Sequence, residues 1–397
     1  MIYRVTDMEQ RRGGQYIRQL TGYRAFMPAT LPPAPPVDLG RVASLLSDAD
    51  QAIGRLDGVA RTLPNPDLFV AMYVRREAVL SSQIEGTQSS LDDLLSYQLD
   101  SDAAGLPRDV DEVVNHVAAM NYGLERLETL PLSLRLIREI HEVLMSGVRG
   151  SEKTPGEFRT SQNWIGPAGA SLSEALFVPP PAHELQALLG DLEKFLHNRG
   201  SIPRLVHAGI AHAQFETIHP FLDGNGRVGR LLITFLLVHE GVLDKPLLYL
   251  SHYLKRHRSE YYDRLMGVRD GDWEAWLEFF LRGVAEISRE ATATAGSILA
   301  LRDEHRTVTA DLGPNAMRLL DRLFEQPVVN VAWVEKALNV SWPTANKLVG
   351  NLVDRDLLVE VTGYRRHRVF RYGPYLRLFE DTDGAVPEQR GNVTAGS

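Results

Sequence analysis

From about Leu39 onward, apolar positions recur at the spacing of one helical face: Val42, Leu45 and Leu46 are followed by Ile53 and Leu56. A Pro64-Asn65-Pro66 break separates this helix from a second one predicted over 67–85, which Gly86 stops. Ser89 or Ser90, each with an aspartate three positions on, caps a further short helix. The helical reading continues over 109–127, 131–145, 183–196, 202–218, 228–240, 251–265 and 273 to about 301. The first forty residues are rich in Arg, Gly and Pro, and Pro32, Pro33, Pro35 and Pro36 cannot sit inside a helix.

Two stretches break the helical pattern. Residues 156–181 hold Gly166, Pro167, Gly169 and three consecutive prolines, with one short β-like run at 175–178, and read as a long loop or hairpin of the kind that carries function. Beyond residue 312 come helices over 312–324, 331–338 and 344–353. Two β-like runs follow, 358–361 and 367–372, joined through Thr362-Gly363. Helix, turn, helix and a two-stranded wing is the outline of a winged helix. The tail after Asp381 reads as disordered.

Composition narrows the chemistry. A chain of 397 residues predicts two or three domains, and a net charge of -8 exerts no global pull on nucleic acid or anionic membrane. With no cysteine, disulfides, thiolate metal sites and cysteine nucleophiles are excluded. The start lacks an apolar signal core and the densest apolar run, 231–238, is too short to span a bilayer, so the expectation is a cytoplasmic protein with no membrane partner.

The candidate chemistry is concentrated in His219-Pro220-Phe221-Leu222-Asp223-Gly224-Asn225-Gly226-Arg227 and Arg230. Asp223-Gly224-Asn225-Gly226 taken alone predicts a hairpin turn, but the flanks are helical. A glycine-framed turn feeding a helix start presents backbone N–H groups and the positive helix end to an anion. Arg227 and Arg230, three apart, share a helical face and can both meet a polyphosphate. Asp223 is a hard oxygen ligand suited to Mg²⁺ held jointly with phosphates. His219 titrates near neutrality and can take a proton from a hydroxyl. Each residue alone has a structural reading, as packing, turn or solvated charge; the whole constellation is hard to explain that way. His207, His212 and His239 read as packing or solvent-facing residues.

These residues match, in full, the motif HxFx(D/E)GNGRxxR, and the chain resembles the Fic family on that basis. The resemblance implies an all-α Fic core with a short β-hairpin flap, which transfers AMP from ATP to a hydroxyl side chain of a target protein. It implies that His219 is the base and that Asp223 holds Mg²⁺ between the α- and β-phosphates. Gly224, Asn225 and Gly226 would cradle phosphates, Arg227 the triphosphate and Arg230 the γ-phosphate, with Phe221 as apolar anchor. Hydrolytic removal of AMP, or another phosphotransfer, uses much of the same site and remains the alternative.

Ser81-Ser82-Gln83-Ile84-Glu85-Gly86 ends the helix over 67–85, and Ser81 and Glu85 share a face. A glutamate in a last turn is electrostatically misplaced, since that end favours cations, so a cationic partner elsewhere would resolve it. The segment resembles the family's inhibitory motif (S/T)xxxE(G/N), which implies that Glu85 pairs with Arg230 and blocks the γ-phosphate seat.

By the same resemblance, 156–181 is the flap that docks the target, with 173–178 as its working edge. Tyr253, Tyr261 and Tyr262 are candidates to line the adenosine side, with core packing as the plain alternative. The expected domains are a helical N-terminal domain over 1–110 carrying the inhibitory helix, the Fic core over 111–300, the winged helix over 305–380 and the tail over 381–397. Arg365, Arg366, His367, Arg368 and Arg371 make a basic wing that suits DNA phosphates, whereas Trp342, Asn346 and Lys347 give the recognition helix little charge. A DNA-binding regulator is therefore the rival function, and DNA, ATP, a target protein and a second copy of the chain are the partners in view.

Overall fold

The computed structural model describes residues 12–20, 22–62, 66–100, 105–167, 169, 171–363 and 367–379. The chain forms two compact units, 1–296 and 297–397.

The first unit opens with an antiparallel hairpin, β1 (Gly14–Arg18) and β2 (Arg24–Pro28), in register from Gly14 opposite Pro28 to Arg18 opposite Arg24. The proline-rich reading of this region held no strand, so the hairpin is an addition. Helices α1 (Leu39–Thr62), α2 (Pro66–Ile84) and α3 (Leu91–Leu99) follow. Ser90 caps α3 in a reciprocal box with Asp93, one of the two alternatives open in the sequence. Next come α4 (Val110–Leu127), α5 (Leu134–Met145), α6 (Leu185–His197), α7 (Arg204–Ile218) and α8 (Asn225–His239). The segment predicted as one helix over 251–265 is two, α9 (Ser251–Arg256) and α10 (Arg258–Arg269), because the backbone leaves helical geometry at His257.

Helices α7 and α8 lie at the centre. Every residue from Leu205 to Ile218 is buried, as are Arg227 to Leu237, the pattern of helices covered on all sides. Close packing of α4 on α8 requires Gly123, where a methyl would meet the Phe235 ring at 2.3 Å. The loop joining α7 to α8 is therefore carried between two immobilised helix ends.

Helix α11 (Trp273–Thr309) outruns the predicted end near 301 and contributes to both units. In the second unit, α12 (Pro314–Leu323), β3 (Val328–Asn330), α13 (Val331–Leu338), α14 (Trp342–Val353), β4 (Val359–Glu360) and β5 (Val369–Arg371) precede a short α15 (Gly373–Leu376). The sheet has order β3-β5-β4, so the two predicted strands gain a third. Arg365, Arg366 and the tail over 381–397 lie outside the described residues. Among the described residues no helix is long and apolar enough to cross a membrane.

Candidate active site

Helix α7 ends where His219 adopts a left-handed backbone (φ 50, ψ 61), which turns the chain into the loop. A second left-handed residue, Gly224 (φ 74), launches α8. Between them Asn225 clamps the loop. Its Oδ1 accepts from the Phe221 N–H and its Nδ2 donates to the Phe221 carbonyl, both at 2.8 Å. The Asn225 side chain is thereby engaged with the loop, which leaves its backbone N–H as what it offers an anion at the helix start.

The loop is also braced from outside. His141 on α5 stacks on Phe221 with ring centroids 3.7 Å apart. Its Nδ1 accepts from the Gly156 N–H at 2.9 Å, so Nε2 carries the proton and donates to the Asp223 carbonyl at 3.1 Å. From the 156–181 segment, Arg159 donates to the His219 carbonyl at 2.9 Å and to the Pro180 carbonyl at 2.6 Å. Asn163 adds a bond to the Phe221 carbonyl at 2.8 Å.

His219 keeps no partner at Nδ1, which is buried. Burial, with the Arg159 and Arg269 charges, brings its pKa down to about 4, so the ring is neutral at pH 7.

Each of the three charged side chains of the motif faces a counter-ion from elsewhere in the chain. Arg230 is buried; its Nε donates to Ser81 Oγ at 2.8 Å, and its Nη2 to the Ser81 carbonyl at 2.9 Å and to Glu85 Oε1 at 2.7 Å. Partial burial pushes the Glu85 carboxyl up, but the charge and hydrogen bond of Arg230 outweigh it and hold it below its usual range. The same Glu85 oxygen lies over the glycine turn: a methyl on Gly226 would come within 2.2 Å of it. Arg227, also buried, pairs with Glu112 of α4 at 3.2 Å and touches the Met145 sulfur. Asp223 accepts the Gly224 N–H at Oδ1 (2.7 Å), and its Oδ2 meets Lys153 Nζ at 2.8 Å. Those two partners, set against burial, lower its pKa. Among the described residues no group of three or more His, Asp or Glu side chains converges as a metal site. One ionised carboxylate already facing a cation nevertheless fits Mg²⁺ of the kind that takes its other ligands from phosphates and water.

Residues 43–125 match the Fic/DOC family N-terminal domain, and residues 131–237, which contain this whole loop, match the Fic/DOC family domain. This chain carries a Fic core. It is 33% identical over 150 residues to the protein adenylyltransferase Fic of Aedes aegypti, covering 37% of this chain and 27% of that one. It is 29% identical over 251 residues to the Drosophila melanogaster protein of the same name, covering 61% and 46%. The chain thus spans about a quarter to a half of the length of these curated relatives. A Fic family protein from Desulfovibrio desulfuricans G20 shares the fold, with TM-score 0.51, 22% identity, and coverage of 84% of this chain and 95% of that one. A Fic domain containing signaling protein from Bacteroides thetaiotaomicron does so over 62% and 95%, with TM-score 0.51 and 17% identity.

The remaining sequence candidates fall in different places around the Fic loop. Tyr253 and Tyr261 are both 1% exposed. Tyr253 packs on Phe279, and Tyr261 packs near Trp276 with its hydroxyl 2.9 Å from His212 Nε2. Tyr262 reaches the surface. Among its described residues the 156–181 segment makes one antiparallel bridge, Ile165 with Phe177, and leaves Leu176 exposed. His207 and His212 are buried and hydrogen-bonded. Sequence reasoning missed His141, Arg159, Asn163, Lys153 and Glu112, whose contacts with the Fic loop span 56 to 115 positions. For Arg159 and Asn163 the local signal was a polar side chain inside a segment already suspected of function; His141, Lys153 and Glu112 lie outside it.

Proposed function

We propose that this protein is a protein adenylyltransferase that transfers AMP from ATP to a hydroxyl side chain of a target protein, and that Glu85 restrains it. The observation that carries the reading is the pairing of Ser81 and Glu85 with Arg230 above Gly226, where a terminal phosphate would otherwise sit. The target hydroxyl oxygen attacks the α-phosphorus, a new O–P bond forms, the α–β bridging bond breaks and pyrophosphate leaves. The hydroxyl proton passes to His219. Its Nδ1 is enclosed, so Nε2 receives it. A neutral ring is the form that accepts, and the negative charge of a bound nucleotide offsets the arginine charges that depress its basicity. The α8 N-terminus and the glycine turn supply N–H groups to the phosphates, and Arg227 and Arg230 supply charge once their carboxylates are exchanged for phosphates. Asp223 would hold Mg²⁺, which neutralises phosphate charge when bound.

The 156–181 segment is our candidate for target docking, through the exposed Leu176 and the strand-like run that bears it. The Fic core over 111–300 receives the brake from the domain before it, over 1–110. We read the α12–β3–α13–α14–β4–β5 order as a winged helix within 305–380, with Trp342 exposed at the start of α14 as a contact residue.

The test uses Mg²⁺ and α-labelled ATP with wild type, Glu85→Gly and Glu85→Gly/His219→Ala proteins. Label on protein with Glu85→Gly, and none with the double variant, is the expected result. Absence of label on the chain and on lysate proteins would reject the transfer reading in favour of AMP removal or another phosphotransfer.

A further inference from the structure

The pair between Lys153 and Asp223 lies outside the brake. The segment joining α5 to the 156–181 segment is tied to Asp223 in two ways. Gly150, at φ +89, passes so close that a methyl there would lie 3.0 Å from Asp223 Oδ2. His141 joins the Gly156 N–H to the Asp223 carbonyl. Between these anchors a turn closes with the Lys153 N–H donating to the Gly150 carbonyl at 2.9 Å, and the side chain reaches back to Oδ2 at 2.8 Å. An ammonium is a compact point charge on a flexible stem. Here it stands on the oxygen that a divalent cation would need, since Oδ1 is taken by the Gly224 N–H.

We propose that Lys153 is an internal competitor for the divalent cation, occupying Asp223 at rest and withdrawing when metal and nucleotide enter. The proposal rests on the nucleotidyl-transfer reading of Asp223. It adds a second control, on the metal side of the site, to the one Glu85 exerts on the phosphate side. The exposures favour exchange: the Lys153 side chain is 43% and that of Asp223 34% accessible, so a hydrated cation reaches the carboxylate and the displaced ammonium regains water. A pair this exposed is worth about 0.2–1 kcal/mol. Removing it should therefore tighten cation binding by up to about fivefold.

The experiment measures Mn²⁺ affinity by electron paramagnetic resonance in full-length Glu85→Gly protein saturated with an ATP analogue methylene-bridged between the α- and β-phosphates. Lys153→Met and Lys153→Arg are compared in that background, and transfer activity is followed separately with α-labelled ATP. The expected result is a Mn²⁺ dissociation constant lower by up to about fivefold in Lys153→Met and restored in Lys153→Arg. An unchanged constant overturns the proposal. A weaker constant overturns it too, because Lys153 would then be helping to hold the nucleotide. Tighter Mn²⁺ binding in a Glu85→Gly parent that transfers no AMP would sustain the competition and reject the transfer reading. Normal transfer with unaltered Mn²⁺ affinity would do the reverse.

Discussion

Glu85 Oε1 lies 2.7 Å from Arg230 Nη2, joining residues 145 positions apart, and the same oxygen covers Gly226. The helix end that disfavours a carboxylate is thereby supplied with a cation from α8. Ser81, one turn earlier on α2, grips the same guanidinium through both its hydroxyl and its carbonyl. The proposed brake is therefore a clamp of three bonds on one arginine, and only one of them is an ion pair.

Ser81→Ala removes the hydroxyl bond and keeps the carbonyl bond and the carboxylate. A hydrogen bond to a charged group is worth about 1.5–3 kcal/mol. Basal transfer should rise about tenfold and stay below that of Glu85→Gly, read as the initial rate of label incorporation. A rate equal to wild type would place the restraint in the carboxylate alone.

Asn225→Ala removes two hydrogen bonds to Phe221 and leaves the buried Phe221 N–H without its acceptor. The loss should be about 2–3 kcal/mol of stability. In the Glu85→Gly background transfer should fall at least about tenfold, because the Asp223 and Gly224 positions lose their anchor. Thermal unfolding and label incorporation check the two halves; a fall in thermal midpoint with full activity would show that the loop holds its shape without the clamp.

Glu216 is buried, with Oε1 unpartnered, and burial raises its pKa from 4.5 to about 7 despite the Arg230 charge. Between those values the folded state binds more protons than the unfolded one, so stability falls as pH rises across that window. The full effect is about 3 kcal/mol, reached above pH 7. Glu216→Gln should flatten the dependence, with a thermal midpoint close to wild type at pH 5 and clearly higher at pH 8. Parallel wild-type and variant profiles would show that the carboxyl is not the source.

Legibility from sequence followed the distance over which a feature is specified. Helix ends came out within a few residues where a cap or breaker marks them, as at Ser90, Ile218 and Gly241. Periodicity puts Ser81 and Glu85 on one face and the displaced charge asks for a cation, but it was the resemblance to the inhibitory motif that pointed to Arg230. The kink between α9 and α10 had no glycine or proline to announce it, and tertiary packing overrides propensity there. The β1–β2 hairpin was hidden by neighbouring prolines and by strands of five residues with no sustained alternation. Lys153, Glu112 and Arg159 were illegible for a different reason. A lone charged residue in a loop or on a helix carries no local mark of which distant atom it will meet.

The three internal counter-ions have a consequence beyond occupancy. A cleft lined by one sign of charge draws oppositely charged ligands from a distance and raises their rate of arrival. Here Lys153, Glu85 and Glu112 stand against Asp223, Arg230 and Arg227 at close range, so at a distance these six charges largely cancel one another. On the proposed reading, the Arg230 charge would reach an anionic nucleotide from a distance only after Glu85 has moved away.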